Sequence, residues 1–301
     1  VFDMAGHAYL RALGSGGETM LVRYVLSETG RWREVPFDYG EECKLKKGLI
    51  MGALIVPGGS LHHQGGLWVS AKGDIAVAYT DSKTWKPRVF PGRGGNTFVT
   101  IWDRHGKTVR KDALQGIGYL DGLFIDKDHN LYVASDGRRA GYFSGRTGTL
   151  AKLGPGSRVL SERAPVPLRT KPDRPRETEA GWWEGAEWFY GGIGFTGKPS
   201  PGCHCPHYRI AHDYFARTFA PETQHYSVAV LDSNGNLIMR IGQYGNVDDG
   251  VPLVDDGKVK GWKPHSIGGD EVGLFYPAYL AAHTDRRLYI ANEDNAVVTV
   301  V

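Results

Sequence analysis

One motif governs what this chain can become. In "LFIDKDHNLYVASD", residues 123–136, an apolar alternating strand runs into a turn closed by Asp126 and Asn130 and returns as a second alternating strand. Aligned on Asp126, the pattern recurs. "LWVSAKGDIAVAYTD" (residues 67–81) carries Ser70 at the turn, "IAHDYFARTFAP" (210–221) carries Asp213, and "LAAHTDRRLYIAN" (280–292) carries His283. A fifth copy begins with the first residues, "VFDMAGHAYLRA", placing Asp3 at the turn and residues 8–10 on the second strand. Carboxylates at such positions cap the turn by accepting backbone N–H bonds, so Asp3, Asp126 and Asp213 read as structural rather than catalytic.

Two more strand-like runs follow each full copy. After Asp213 they are "HYSVAVLD" and "NLIMRIG" around "SNGN", where Asn-Gly supplies the positive φ a tight hairpin needs. The others are "NTFVTIWD" with "GKTVRKD", "GTLAKL" with "SRVLSE", and "TMLVRYVL" with "GRWREV". Four antiparallel strands repeated in one phase define a β-propeller blade. The expectation is therefore an all-β chain, residues 1–301 forming one propeller of four-stranded antiparallel blades, five repeats visible and six blades in the complete ring. The 42 glycines and 16 prolines suit so many tight turns.

The turn positions are unevenly spaced, and the excess falls in insertions at about 161–205 and 244–272. Within the first, residues 165–192 have a charged half that reads as surface loop and an aromatic half, "GWWEGAEWFYGG", expected to pack back onto the body. By its register the chain is expected to be either a fragment of a longer one or closed by N-terminal strands that complete the C-terminal blade. Its first copy enters at the end of an innermost strand, and its last, "NAVVTVV", stops in a third strand.

A formal net charge of +3 with no dense Lys/Arg block argues against a nucleic-acid partner. The longest apolar run, residues 48–56, is about half of what a membrane span requires, so no transmembrane segment is expected. No basic start followed by an apolar stretch marks an export signal. The repeat unit resembles the NHL repeat, on the residues "GLFIDKDHNLYVASD" and "VAVLDSNGNLIMRIGQYGN". That resemblance implies a secreted or periplasmic propeller, related to sugar-lactonase-like proteins and to an amidating lyase.

In a propeller, the residues entering each blade's first strand face one another across the central channel. Here they are 61–66, 118–122, 202–209 and 273–277, so His62 aligns with Cys205 and Gln64 with His207. His62, His63, Cys203, Cys205 and His207 thus form a candidate metal set, its thiolate and imidazole donors suited to zinc or copper. The bland alternatives are a disulfide from Cys203 or Cys205 to Cys43, inert buried thiols, or a redox or intermolecular thiol. Asp248, Asp249, Asp255, Asp256, Asp270 and Glu271 form acidic loops able to hold calcium, though their spacing fits a solvated loop better.

Two further residues stand at the same entrance. Asp121 lies where lactonase-like propellers hold a catalytic divalent ion, but Gln64, His207 and Pro277 do not reproduce the Glu and Asn ligands of those proteins. The amidating lyase, which holds zinc through histidines at its mouth, is closer in ligand type. Arg209 follows His207 and is placed to hold an anion. No Gly-x-Ser-x-Gly elbow, phosphate loop or His-Glu-x-x-His motif is present, and no catalytic residue is assigned.

Two functions follow as expectations. The first is a non-enzymatic exported module that binds a protein or glycan partner through aromatic-rich loops, with Trp182, Trp183, Trp188 and Tyr190 as anchors and Asp121 and Arg209 at the channel. The alternative is a zinc- or copper-dependent enzyme, lyase- or hydrolase-like, with its site at the channel mouth. A surface is present without a complete catalytic set, which favours the first.

Overall fold

The computed structural model describes residues 1–57, 66–80, 97–117, 120–135, 148–160, 182–194, 209–245, 272–292 and 297–301. In chain order they build five antiparallel sheets. Blade 1 holds β1 (His7–Leu13), β2 (Thr19–Leu26), β3 (Trp32–Glu34), β4 (Glu41–Leu45) and β5 (Gly48–Val56). Blade 2 is β6 (Leu67–Val69), β7 (Ile75–Thr80), β8 (Thr97–Trp102) and β9 (Thr108–Ile117). Blade 3 is β10 (Leu120–Ile125), β11 (Leu131–Ser135), β12 (Gly148–Leu160) and β13 (Trp182–Ile193).

Blade 4 is β14 (Ala211–His212), β15 (Thr218–Glu222), β16 (Ser227–Leu231) and β17 (Leu237–Ile241). A short parallel pair, β18 (Gln243–Tyr244) with β19 (Gly273–Leu274), links it to blade 5, which shows β20 (Pro277–Ala282), β21 (Leu288–Asn292) and β22 (Val297–Val300). Among the described residues no helix is long and apolar enough to cross a membrane.

Side chains on a strand alternate between faces, and here each face of a central strand serves a different neighbour. Val77 of β7 joins blade 1 through Tyr9, Leu54 and Val56, while Ala76 and Ala78 join blade 3 through Leu120, Leu123 and Val133. In blade 3, Val133 faces blade 2, and Tyr132 and Ala134 face Ile210, Ala220 and Ala229 of blade 4. Val228 and Val230 of β16 face blade 5, against Leu280, Leu288 and Ile290. Consecutive sheets therefore stack face to face, in the order 1-2-3-4-5, and the central strands read as continuous apolar runs because both faces are covered. Ile75, Ile125 and Ile290 are each 0% exposed, a burial worth about 2 kcal/mol per side chain.

The turns fold as the sequence requires. Asp3, Asp126 and Asp213 each accept two backbone N–H bonds through Oδ1 at 2.9 Å, from the residues two and four positions on. Ser70 does the same through Oγ, at 3.2 and 3.0 Å, and His283 Nδ1 accepts from the N–H of Asp285 at 3.2 Å. Asp103 and Asp232 repeat the device in the hairpins between third and fourth strands.

Blade 3 departs from the expected pairing of "GTLAKL" with "SRVLSE". Both segments belong to the single strand β12, and the fourth strand is β13, drawn from the segment expected to be an insertion. Gly154-Pro155-Gly156 reads as a turn, yet the chain bulges there instead. Leu153 pairs with Ala186 and Arg158 with Glu184, so four residues stand opposite Gly185 alone. Gly185 has φ 73°, a left-handed conformation suited to glycine, and its carbonyl accepts a bond from Ser157 Oγ at 2.6 Å. In blade 1 the fourth-strand place is shared: β3 pairs with the far half of β2, and β5 with the near half.

Candidate functional site

First strands carry the site. Residue for residue before the turn, Gly66, Gly122, Arg209 and Tyr279 occupy one register position. Arg209 and Tyr279 meet in a parallel bridge, and the N–H of Arg209 donates to Ala278 O at 3.2 Å. The Arg209 guanidinium lies over the Tyr279 ring, 4.7 Å from its centroid. Asp121 comes from the neighbouring blade. It stands at a bulge, where the β10–β11 register shifts between Leu120 and Gly122, and its Oδ1 is 3.6 Å from Arg209 Nε. Blades 3, 4 and 5 thereby deliver Asp121, Arg209 and Tyr279 to one place.

Blade 1 brings a second arginine into the same field. Arg11 of β1 donates through Nη2 to the carbonyl oxygen of Ala78. Burial, and then the charge of Arg209, push its pKa down to about 10. The same two causes, in the same order, lower that of the Val1 amino group. Residues of blades 1 and 4 thus lie near enough to act on one another electrostatically.

Of the residues singled out from the sequence, Asp121 and Arg209 are brought together as the register implied. His62, His63, Cys203, Cys205 and His207 lie outside the described residues, as do Gln64 and the acidic loop residues Asp248, Asp249, Asp255, Asp256, Asp270 and Glu271. Among the described residues, no three His, Cys, Asp or Glu side chains are grouped to hold a metal ion. Cys43 carries a free thiol. It is buried in blade 1 beside Met20, Val22, Ile50 and Ala53, and burial, ahead of Glu18, Glu41 and Glu42, pushes its pKa up.

The aromatic anchors take places within blade 3. Trp182 and Trp183 sit on β13 opposite Leu160 and Val159. Trp188 donates Nε1–H to Ser233 O at 3.0 Å and stands edge-on to Tyr132, with ring centroids 5.9 Å apart. Tyr190 donates its hydroxyl to Glu222 at 2.7 Å; burial first, then the Glu222 charge, raise its pKa. Both rings pack against the cluster between blades 3 and 4.

Sequence reasoning passed over two members of the site. Arg11 stands eight residues after its turn, where Ala78, Ala134 and Ala291 stand in three other copies. A long cation in an alanine slot was the available signal. Tyr279 was visible as the register partner of Arg209.

The four-stranded antiparallel sheets, their common register and their face-to-face stacking define the class: this is a β-propeller. No protein-family model matches the sequence, and no curated protein matches it. Among solved structures the chain is similar to virginiamycin B lyase from Staphylococcus aureus, with 8% identity over 98% of this chain and 70% of that one, at a TM-score of 0.32. It is similar to a protein of unknown function from Bacteroides caccae, with 12% identity over 95% and 82%, at 0.38. A gluconolactonase-like structure matches with 13% identity over 96% and 73%, at 0.34.

Proposed function

We propose that this propeller is a non-enzymatic, exported binding module that takes a protein or glycan partner at the mouth of its channel. What supports the reading is the meeting of Asp121, Arg209 and Tyr279 from three blades: a carboxylate, a guanidinium and an aromatic ring on adjoining strand entrances. Such a set orients a ligand through a few polar contacts beside a flat apolar surface. Export enters through the NHL resemblance alone. Trp188 and Tyr190 are engaged between blades 3 and 4, and the reading here centres on the mouth.

The test is capture of glycans on an array, and of candidate protein partners, by the immobilised chain. Capture that survives Trp183→Ala but is lost in Asp121→Ala and in Tyr279→Ala supports the reading. Absence of capture, together with stoichiometric zinc or copper that disappears in His207→Ala, overturns it in favour of a metal-dependent enzyme.

A further inference from the structure

The chain shows what a satisfied arginine–carboxylate pair looks like. Arg240 reaches Glu222 with two bonds, Nε to Oε2 at 2.6 Å and Nη2 to Oε1 at 3.1 Å. Arg217 holds Asp213 through Nε at 2.7 Å, with Nη2 at 2.6 Å. Arg209 is different. Its Nε is buried without a hydrogen-bond partner, and Asp121 Oδ1, at 3.6 Å, attracts it without bonding it. A buried donor left without an acceptor is costly, and folded proteins rarely keep one.

The rest of the side chain is held ready. Tyr279 fixes the plane of the guanidinium, Ala278 fixes the backbone, and Asp121 draws Nε to one side. The side chain is 42% exposed, so the planar fork is reachable from solvent. A guanidinium fork matches two oxygens of a carboxylate, sulfate or phosphate, which an ammonium does not. Arg11 adds positive charge in the same field.

We infer that Arg209 seats an oxyanion of the ligand at the channel mouth, binding a carboxylate, sulfate or phosphate group through its guanidinium fork while Tyr279 and Asp121 hold it in place. This rests on the reading of the mouth as a binding site and names the chemistry it takes. An oxyanion there accepts from the guanidinium of Arg209, whose Nε lacks a partner, and it offsets the mutual repulsion of Arg209 and Arg11.

Calorimetric titration at constant ionic strength tests it, with inorganic phosphate, inorganic sulfate, methyl glucuronide and the neutral methyl glucoside as probes. Saturable binding of at least one anion, with methyl glucoside silent, is expected. Arg209→Lys keeps the charge but loses the fork, and weakens that anion tenfold or more. Glucuronide binding above both inorganic ions identifies an acidic sugar as the source; the reverse order identifies a free ion.

No saturable anion binding, an unchanged affinity in Arg209→Lys, or equal binding of glucoside and glucuronide overturns the inference. The two readings fail separately. Partner capture indifferent to Arg209→Lys and to added anion removes the oxyanion seat and leaves the module. Anion binding without any captured partner removes the module and leaves the seat.

Discussion

Glu222 is joined to Arg240 by two hydrogen bonds within blade 4, and Tyr190 of blade 3 and Ser227 complete its shell, with Glu222 only 2% exposed. Burial pushes the Glu222 pKa upward, but the bonds from Arg240, Tyr190 and Ser227 outweigh it and the net shift is downward. Arg240→Ala leaves that carboxylate buried without its cation and is expected to destabilise by about 3 kcal/mol. Urea denaturation measures this, and an unchanged midpoint refutes the account. Because the folded pKa lies below the unfolded one, the contribution is complete above the unfolded value and is lost as pH falls through the folded one.

A second pH dependence has the imidazole as its source. His212 stacks on Phe124 at 3.9 Å between ring centroids and shares a hydrogen bond with Thr218 Oγ1 at 3.1 Å. Burial pushes its pKa from 6.5 down to about 4. The neutral ring is the one that fits, so its contribution is present above about pH 6.5 and fades toward pH 4, by on the order of 3 kcal/mol. His212→Phe keeps the stack and removes the proton site. Melting temperatures measured across that range should flatten in the variant, and an identical slope in both proteins discards the idea.

Gly235 tightens the "SNGN" hairpin with φ 79°, and a Cβ there would stand 2.5 Å from the Trp188 ring. Gly235→Ala meets strain from the backbone and overlap from the indole together, and should cost about 2 kcal/mol. Trp188→Ala in the same background relieves the overlap. A double-mutant cycle therefore gives a favourable coupling, and strict additivity contradicts the contact.

Cys43 is expected to resist thiol reagents in the native state, since burial both hides it and disfavours the thiolate. Labelling followed by mass spectrometry should modify it only when denaturant is added. Rapid modification in buffer alone shows that the packing of Met20, Val22, Ile50 and Ala53 does not cover it.

What could be read from residues alone was whatever is local or strictly periodic. Asp126 and Asp213 announce their turns within five residues, and the common phase of the copies carried Asp121 and Arg209 to one rim before any coordinates existed. The β12–β13 pairing escaped because Gly154-Pro155-Gly156 satisfies the local rules for a turn, while the true partner lies beyond residue 180. Tertiary pairing overrode a sound local signal there. Trp188 and Tyr190 looked like a recognition surface because aromatic composition does not say which neighbour a ring will find. The Cys/His segment at 201–208 was readable as chemistry, and its geometry lies outside the described residues.

The bulge at Asp121 recurs at Ala278 of blade 5, where the ladder skips from Pro277 to Tyr279. One blade fills this slot with an acid and another with a methyl group, on the same main-chain path. Such a position stands out of the ladder register, yet the residue there is buried, 7% exposed for Asp121 and 0% for Ala278, so packing rather than strand pairing decides what it holds. A change of letter there alters the chemistry of the slot while the main-chain path, common to the two blades, stays as it was.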